Sequence, residues 1–399
     1  MTARTSAVVA RLGEDFLTEA FGRTHRVLPG ADDDLSALMG WDRLGWDDLN
    51  DLLARHRLEP PRLRLSADGE VIPQDAYTAP LVTRRSTVWQ RLHPAALHDQ
   101  LTNGATLVID AIDELHDGVR YLASALEAAL RTQVQVNAYA SWTGREGFGV
   151  HWDDHDVVVV QISGAKRWKV YGPTRVSPMH QDVAEPEVPP EKPVDEFVLT
   201  AGDMLYLPRG WWHSVAASEG ERSLHLTCGL TTTTGADLLI WLSEKLRTEE
   251  IVRADLPRFG TQADKQEFVG ALRGLLAKEL ESGNLIDRYA EHRDATERVR
   301  LRPSLPFVSE VAADANVTVE MLTTRHTLAS DENGNAVLTA GGETWTFAPA
   351  ARPLLDRLTG PGRYQLRDLV YGTDLSLTQA ASIITELVKG QVVSAGSIW

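Results

Sequence analysis

The stretch NAYASWTGREGFGVHWDDHDVVVVQISGAKRWKVYGP occupies residues 137–173 and decides the fold. After a proline-rich segment it is followed by AGDMLYLPRGWWHSVAAS at residues 201–218 and by SLHLTCGL at residues 223–230. Short runs of β-branched and aromatic residues alternate with turns that contain glycine and proline, which is typical of antiparallel strands. Repeated short strands of this kind predict a double-stranded β-helix, the jelly-roll architecture.

Two imidazoles and one carboxylate stand out within this stretch. His151 and Asp153 are two residues apart, so on a strand both side chains point to the same face. An isolated His-x-Asp pair occurs by chance in many chains, and its value here comes from His213, which follows the strand and turn at residues 204–210. Two histidines and a carboxylate that leave one side of the metal open are the ligands of mononuclear Fe(II) sites.

The same residues resemble a known family. HWDD, then VVVVQISGAKRWKVYGP, then GDMLYLPRGWWHSV are similar to the JmjC-type ribosomal oxygenases of the cupin superfamily. These are Fe(II)- and 2-oxoglutarate-dependent protein hydroxylases, and the resemblance is strongest over residues 130–230. It implies an α+β protein with a cupin/JmjC jelly-roll core, and an enzyme that uses Fe(II), 2-oxoglutarate and O2.

The resemblance also assigns roles to particular positions. It implies iron ligation by His151, Asp153 and His213, a contact from Lys166 to the distal carboxylate of 2-oxoglutarate, and a place in the cosubstrate pocket for Asn137 and Tyr139. For Lys166 a physical argument agrees, because a dicarboxylate bound to iron at one end needs a cation at the other. The neighbouring Arg167 has the same charge, but consecutive strand residues point to opposite faces, so only one of them faces inward.

Each assignment has a plainer alternative. His155 and His225 lie close in sequence, and an isolated histidine in a strand is more often structural than a ligand. Lys166 would otherwise be a solvated charge on an outer face, and Tyr139 ordinary strand packing. The tryptophans of this stretch are interpreted as core and rim residues, of which one or two frame a substrate entrance.

Composition bounds the function. The 399 residues suffice for two or three domains. A net charge of −16 argues against non-specific nucleic-acid binding, and it suits a basic protein or peptide partner. The single cysteine, Cys228, excludes an internal disulfide and favours a buried thiol in a reducing compartment. We expect no signal peptide and no membrane span, and we therefore predict a cytoplasmic protein.

Three domains are predicted. Residues 1–234 form the catalytic domain, in which residues 1–60 are mainly helical, residues 62–65 and 81–92 are strands separated by a loop at 74–80, and residues 113–130 are an amphipathic helix. Residues 235–300 are helical. The resemblance implies dimerisation through these helices and hence a homodimer; the alternative is that they cap the barrel.

Residues 301–399 return to strands at 317–322 and 343–347. Helices at 352–358, 364–371 and 376–389 and a strand at 391–394 then suggest a winged-helix-like domain. Its last 50 residues carry five basic and four acidic side chains, so no basic face is formed and nucleic-acid binding is not favoured. A protein-contact or architectural role fits better.

The leading hypothesis is an oxygenase that hydroxylates a side chain, arginine or histidine, of a ribosomal protein or of another protein or peptide. One alternative is a peptide hydroxylase in natural-product maturation. Another is a non-catalytic cupin sensor with a DNA-reading winged helix, which the balanced charge of the tail disfavours. A cupin metalloenzyme without 2-oxoglutarate and an N-methyl demethylase complete the set. The sequence leaves the hydroxylated side chain open.

Overall fold

The structure is a computed structural model that describes residues 3–40, 42–82, 84, 86, 88–184, 188–218, 220–231, 233–360 and 362–396. The chain divides into two compact units, residues 1–232 and 233–399. Within the described residues, every helix is too short or too polar to cross a membrane.

The first part of unit 1 mixes helices with short strands. The elements are α1 (Ala3–Leu12), β1 (Arg26–Leu28), α2 (Asp34–Met39), α3 (Trp46–Arg55), β2 (Leu63–Ala67), β3 (Glu70–Ile72), β4 (Thr78–Val82), β5 (Val88–Leu92), α4 (Pro94–Thr102), β6 (Thr106–Ile109) and α5 (Asp117–Leu130). The predicted helix at 113–130 corresponds to a short 3-10 turn followed by α5.

The hairpin of β4 and β5 differs from the prediction. Residues 78–80 were expected to be loop, but they belong to β4, and residues 81–92 are not one strand because the chain turns between Val82 and Val88. The misleading residue is Pro80, which lacks the N–H that a central strand needs. β4 and β5 form a separate two-stranded sheet, in which both strands are edges and proline is tolerated.

The second part of unit 1 is the predicted jelly roll. Its strands are β7 (Val134–Ser141), β8 (Asp156–Ser163), β9 (Ala165–Pro173), β10 (Asp195–Thr200), β11 (Met204–Leu207), β12 (Trp211–Ala217) and β13 (Ser223–Leu230). Together with β1, β2, β3 and β6 from the first part, they form an antiparallel sheet of order β1-β11-β8-β13-β7-β6-β2-β3 and a second sheet of order β10-β9-β12. Where the structure describes it, the proline-rich segment contains a short 3-10 helix, His180–Ala184, and otherwise irregular chain.

Strand alternation divides the large sheet into two unlike faces. On one face, Val136, Leu226 and Cys228 join the large core that also contains side chains of α1 and α5. On the other face, β8 contributes Val157 and Val159 to a smaller core with Trp168, Leu199 and Leu207. The second face is therefore the interior between the two sheets, and Cys228 is buried as predicted.

Unit 2 contains helices followed by two small sheets. The elements are α6 (Gly235–Lys245), α7 (Glu250–Arg253), α8 (Gln262–Leu280), α9 (Leu285–Thr296), β14 (Thr318–Met321), β15 (His326–Ser330), β16 (Ala336–Ala340), β17 (Glu343–Phe347), α10 (Arg352–Leu358), β18 (Arg363–Gln365), α11 (Leu366–Val370), α12 (Leu377–Lys389) and β19 (Val393–Gly396). Buried Arg325 donates to Asp294 at 2.7 Å and to Glu297 at 3.2 Å, so α9 is joined to the sheet region within this unit.

Two details of unit 2 differ from the prediction. Residues 301–347 contain four strands instead of two, because β15 and β16 pair with β17. The first two residues of the predicted helix at 364–371 belong to β18, which pairs with β14, and the helix α11 begins at Leu366. The order helix, strand, helix, helix, strand from α10 to β19 agrees with a winged-helix-like domain, but that assignment and the dimerisation role of residues 235–300 stay predictions.

Candidate metal centre and the buried lysine beside it

His151, Asp153 and His213 come together at one end of the jelly roll. One ligand atom from each, an imidazole nitrogen or a carboxylate oxygen, lies within 4.8 Å of the others. His151 precedes β8 and pairs with His213 through two backbone hydrogen bonds of 3.0 and 2.8 Å. The two ring centroids are 4.3 Å apart, and Nε2 of His213 lies 3.7 Å from Oδ2 of Asp153.

The turn before β12 places His213. Gly210 has a φ of 76°, a left-handed conformation that favours glycine, and a Cβ there would lie 2.4 Å from Pro178. The N–H of Gly210 donates to the carbonyl of Asp153 at 2.8 Å, so the turn is tied to the irregular segment before β8 that carries the carboxylate. A bulge between Trp212 and His213 then changes the register of β12 against β9. Bulges commonly redirect a side chain beside an active site.

Backbone carbonyls orient both imidazoles. Nδ1 of His151 lies 3.1 Å from the carbonyl oxygen of Gly149, and Nδ1 of His213 lies 2.9 Å from that of Trp211. A carbonyl only accepts, so each Nδ1 carries the hydrogen and each Nε2 keeps its lone pair for a metal. Gly149 has a φ of 67°, so the carbonyl that holds His151 depends on a residue free to adopt that conformation.

The donor set fits a divalent cation. Burial and the neighbouring His151 lower the pKa of His213 to about 4, so the imidazole is neutral at physiological pH, as metal ligation requires. With His151 and Asp153 the set comprises two imidazole nitrogens and one carboxylate oxygen, the ligands of mononuclear Fe(II) sites with open positions.

Lys166 lies inside the same barrel, on β9. Its side chain is 3% exposed, and Nζ donates to Oγ of Ser141 at 2.6 Å. Among the residues that the structure describes, no carboxylate lies within ion-pair distance of it, and burial lowers its pKa to about 7. Arg167, the neighbour, is half-buried and pairs with Glu196 at 3.0 Å. The structure therefore places the lysine inward and the arginine on the other face.

Asn137 and Tyr139 lie on β7, on the same face as Ser141. Oδ1 of Asn137 accepts a hydrogen bond from the backbone N–H of Ala111 at 3.0 Å, so part of this side chain supports the fold. Tyr139 is half-buried, and its ring stacks on His225 at 5.0 Å. Burial and the charge of Asp153 raise the pKa of Tyr139 to about 12, which keeps the phenol protonated and able to donate.

Sequence reasoning missed several neighbours of the site. Ser141 was not identified, although the two-residue alternation from Asn137 through Tyr139 leads to it. Phe148 was also missed: its ring lies 5.9 Å from that of His151 and 6.0 Å from that of Tyr139. No local pattern distinguishes it within the glycine-rich loop.

Two interpretations concern aromatic residues near the triad. Trp168 is buried, as expected of a core residue, and stacks on His213 with ring centroids 5.7 Å apart. His155 hydrogen bonds to Asp154 at 2.9 Å, and Asp154 also contacts His180 at 2.8 Å. His155 thus belongs to a neighbouring polar group, and the set that gathers ligand atoms is His151, Asp153 and His213.

A model of the JmjC domain matches residues 114–238, which contain the triad and Lys166. The chain contains a JmjC domain. Among its curated relatives, ribosomal oxygenase 1 of Gallus gallus is 33% identical over 140 residues, which are 34% of this JmjC protein and 23% of that relative. The bifunctional lysine-specific demethylase and histidyl-hydroxylase NO66 of Drosophila persimilis is 34% identical over 109 residues, 27% of this chain and 16% of that relative.

The JmjC protein thus spans less than a quarter of the length of these two relatives. Among solved structures, YcfD, a ribosomal oxygenase from Escherichia coli solved in complex with cobalt and 2-oxoglutarate, covers 96% of this chain with 98% of its own. Its TM-score is 0.58 at 18% identity, and another structure of the same protein gives 0.60. At this identity the likeness concerns the fold, and it extends over both units.

Proposed function

We propose that this JmjC protein is an Fe(II)- and 2-oxoglutarate-dependent oxygenase that hydroxylates a side chain of a protein or peptide. The observation that carries the proposal is a buried lysine without a carboxylate partner, in the same barrel interior as a facial triad of metal ligands. The JmjC domain and the names of the relatives support the same reaction class.

The buried ammonium group of Lys166, which has no carboxylate partner in the described part of the chain, supports binding of an anionic ligand beside it. Burying an ammonium group without a partner is costly, and lysine is rarely fully buried unless it is paired. Lys166 and Val170 lie on one face of β9, four residues apart, and Val170 pairs with His213. That separation is about 13 Å along the backbone. The lysine side chain, together with a five-carbon dicarboxylate that chelates the metal, would span this distance from Lys166 to the metal ligands.

The residues present then divide the work. His151, Asp153 and His213 would hold Fe(II), and Lys166 with Ser141 would hold the distal carboxylate of 2-oxoglutarate. When bound, the metal and the keto acid supply oxidative chemistry in which O2 is consumed and 2-oxoglutarate is decarboxylated to succinate. Buried Trp168, which stacks on His213, would keep water from one side of the triad, and Phe148 of the glycine-rich loop lies beside His151.

For the substrate we propose an arginine or histidine side chain of a ribosomal protein or of another basic protein or peptide. The net charge of −16 favours a basic partner. The relatives named ribosomal oxygenase 1 and histidyl-hydroxylase agree with this class. A peptide hydroxylated during natural-product maturation has the same chemistry and remains the alternative substrate.

The activity is tested with purified protein, Fe(II), ascorbate and 2-oxoglutarate, by measuring succinate release and the intact mass of candidate ribosomal proteins. We expect a gain of one oxygen atom per target, and binding of the 2-oxoglutarate mimic N-oxalylglycine to the metal-loaded protein. Loss of a methyl group instead would indicate demethylation. No binding of 2-oxoglutarate or its mimic to metal-loaded protein would overturn the proposal.

We also propose a homodimer held by α6–α9. None of the 19 residues of α8 is buried, and its face exposes Val269, Leu276 and Leu280, while Ile240 is exposed on α6. Apolar surface of this kind is often covered by a partner. Light scattering after size exclusion should give twice the chain mass of 44.0 kDa, and Val269→Asp combined with Leu276→Asp should give the monomer.

We also propose a role for residues 301–399 and a location for the protein. Residues 301–399 would form a winged-helix-like domain with an architectural or protein-contact role, because its last 50 residues have nearly balanced charge. A cytoplasmic location agrees with the single buried thiol.

A further inference from the structure

Two ring nitrogens are buried without a hydrogen-bond partner on the interior faces of β9 and β13. Nε1 of Trp168 and Nδ1 of His225 are both inaccessible to solvent and make no hydrogen bond. Trp168 is two residues from Lys166 on β9, so the two side chains point to the same face. The ring of His225 lies edge-on to that of Trp168, with centroids 6.1 Å apart.

His225 approaches this point from the opposite sheet. It lies on β13, directly across from Tyr139 on β7, and stacks on the tyrosine ring with an interplanar angle of 8°. The residue is 4% exposed. Burial, and the charge of Lys166 close by, lower the pKa of His225 well below its ordinary value, so the ring is neutral with one N–H to donate.

The chemistry of these groups indicates what they would bind. A lysine ammonium and an indole N–H only donate hydrogen bonds, and neither can satisfy the other. A buried polar atom left unsatisfied costs roughly 1–3 kcal/mol, and native proteins contain few of them. With the hydrogen of the neutral His225 ring on Nδ1, the two ring N–H groups and the buried ammonium of Lys166, which donates to Ser141, form a set of donors without an anionic acceptor among the described residues. An anion with several acceptor oxygens, such as a carboxylate, would satisfy all three.

We propose that His225 and Trp168 are cosubstrate-binding residues, which donate through Nδ1–H and Nε1–H to the same distal carboxylate of 2-oxoglutarate that Lys166 binds. This inference rests on the proposed function and goes beyond it. It assigns recognition of the distal carboxylate to three donors from two sheets, Lys166 and Trp168 on β9 and His225 on β13. The stacked Tyr139 holds the imidazole in the plane that this contact needs.

The alternative is that His225 and Trp168 only fill space. A purely structural role predicts that their replacement disturbs every ligand of the site alike. A carboxylate contact predicts a selective effect, confined to ligands that carry the distal carboxylate. Comparing 2-oxoglutarate with 2-oxopentanoate separates the two roles, since the latter has the same five-carbon keto-acid chain but a methyl group in place of that carboxylate.

The experiment measures the dissociation constants of both keto acids by isothermal titration calorimetry, on full-length protein loaded with Mn(II) under anaerobic conditions so that no turnover occurs. The variants are His225→Phe and Trp168→Phe, which keep an aromatic ring and remove the donor, and His225→Asn, which keeps a donor near Nδ1. His98→Phe, at an exposed histidine on α4, is the matched control.

We expect His225→Phe and Trp168→Phe each to raise the dissociation constant of 2-oxoglutarate about ten- to hundredfold, as for the loss of one hydrogen bond to a charged group. The value for 2-oxopentanoate should stay within about twofold, His225→Asn should recover part of the loss, and His98→Phe should match the wild type. An equal loss for both keto acids, or no loss for either, would overturn the inference. If the wild-type protein bound no 2-oxoglutarate, that result would contradict the proposed function itself, whereas the other two outcomes would contradict only the roles of His225 and Trp168.

Discussion

The two faces of β13 have opposite characters, although their residues alternate along a single strand. Leu224, Leu226 and Cys228 face the helices and belong to an apolar core without exposed surface. His225, between them, faces the barrel interior with an unsatisfied nitrogen. β7 repeats the pattern, with Ala138 on one side and Tyr139 on the other. The comparison teaches that one face of these strands stabilises the fold and the opposite face binds ligands. Residues on one face can therefore be substituted without changing the property that depends on the other.

The interior itself is divided in the same way. Val157, Val159 and Leu207 form a small apolar core between the sheets, whereas Lys166 and the triad form a polar region in the same interior. The apolar part holds the sheets together, which frees the polar part from stabilising the fold. Substitutions on the two faces should therefore have separable consequences, and the following predictions test that separation.

The largest effect is expected at the triad. Asp153→Ala should reduce succinate release to background and weaken Mn(II) binding, because the carboxylate ligand is lost and two imidazoles remain. Asp154→Ala, the adjacent position, should retain metal binding, because Asp154 contacts His155 and His180 instead. Calorimetric titration with Mn(II) is the measurement. Equal metal affinity in the two variants would contradict the assignment of the site.

The next effect concerns Lys166. Lys166→Met should raise the dissociation constant of 2-oxoglutarate about hundredfold or more, because breaking a buried ion pair costs roughly 3–5 kcal/mol. The ligand-free protein should be at least as stable as the wild type, since an unpaired buried charge has been removed. Lys169→Met, on the opposite face of β9, is the control. A less stable Lys166→Met protein with normal affinity would assign the lysine to the fold.

On the other face, Leu226→Ala should lower the free energy of unfolding by about 2–5 kcal/mol, as buried leucines usually do. The dissociation constant of 2-oxoglutarate should be unchanged below the melting transition. Leu81→Ala, at an exposed position of the β4–β5 hairpin, should cost much less. Chemical denaturation gives the first quantity and calorimetry the second. A parallel loss of ligand affinity in Leu226→Ala would show that the two faces are coupled.

A smaller effect is expected from pH. Burial lowers the pKa of Lys166 to about 7, so above that pH the free protein must take up a proton before the lysine can pair with a carboxylate. The dissociation constant of 2-oxoglutarate should rise about tenfold per pH unit above 7 and level off below it. Lys166→Arg should abolish this slope, because its guanidinium stays charged. Calorimetric titration with 2-oxoglutarate in two buffers of different ionisation enthalpy measures the number of protons taken up on binding.

The same shift affects stability with a definite sign. The folded pKa of Lys166 lies below its unfolded value of 10.5, so between these values the unfolded chain binds more protons. The stability of the ligand-free wild type should therefore rise with pH from about 7 to 10 relative to Lys166→Met. A difference that does not change with pH would contradict the lowered pKa.

Much of the site could be predicted because it depends on local alternation. The opposite directions of Lys166 and Arg167 follow from strand geometry alone. His151 and Asp153 were expected to share one face of a strand, but His151 makes an isolated bridge to His213 and Asp153 lies in the irregular segment before β8. The convergence of Ser141 with Lys166, and of His225 with Tyr139 and Trp168, depends on the pairing of distant strands. No local pattern encodes that register.

In the fold, the missed strands had different causes. The turn between β15 and β16 contains Asn333-Gly334, a strong hairpin signal that could have revealed both strands. β18 is only three residues long and leads directly into a helix, so its periodicity is too short to read. Its pairing with β14 is again a long-range contact.

The carbonyl groups that fix the two imidazoles belong to the main chain, at Gly149 and Trp211. Most substitutions of a neighbouring side chain leave a peptide carbonyl in place, so the orientation of the metal-binding nitrogens is insulated from mutation around it. Side chains in the wall of the cavity can thus be substituted, and the substrate preference changed, while the orientation of the two metal-binding imidazoles is kept.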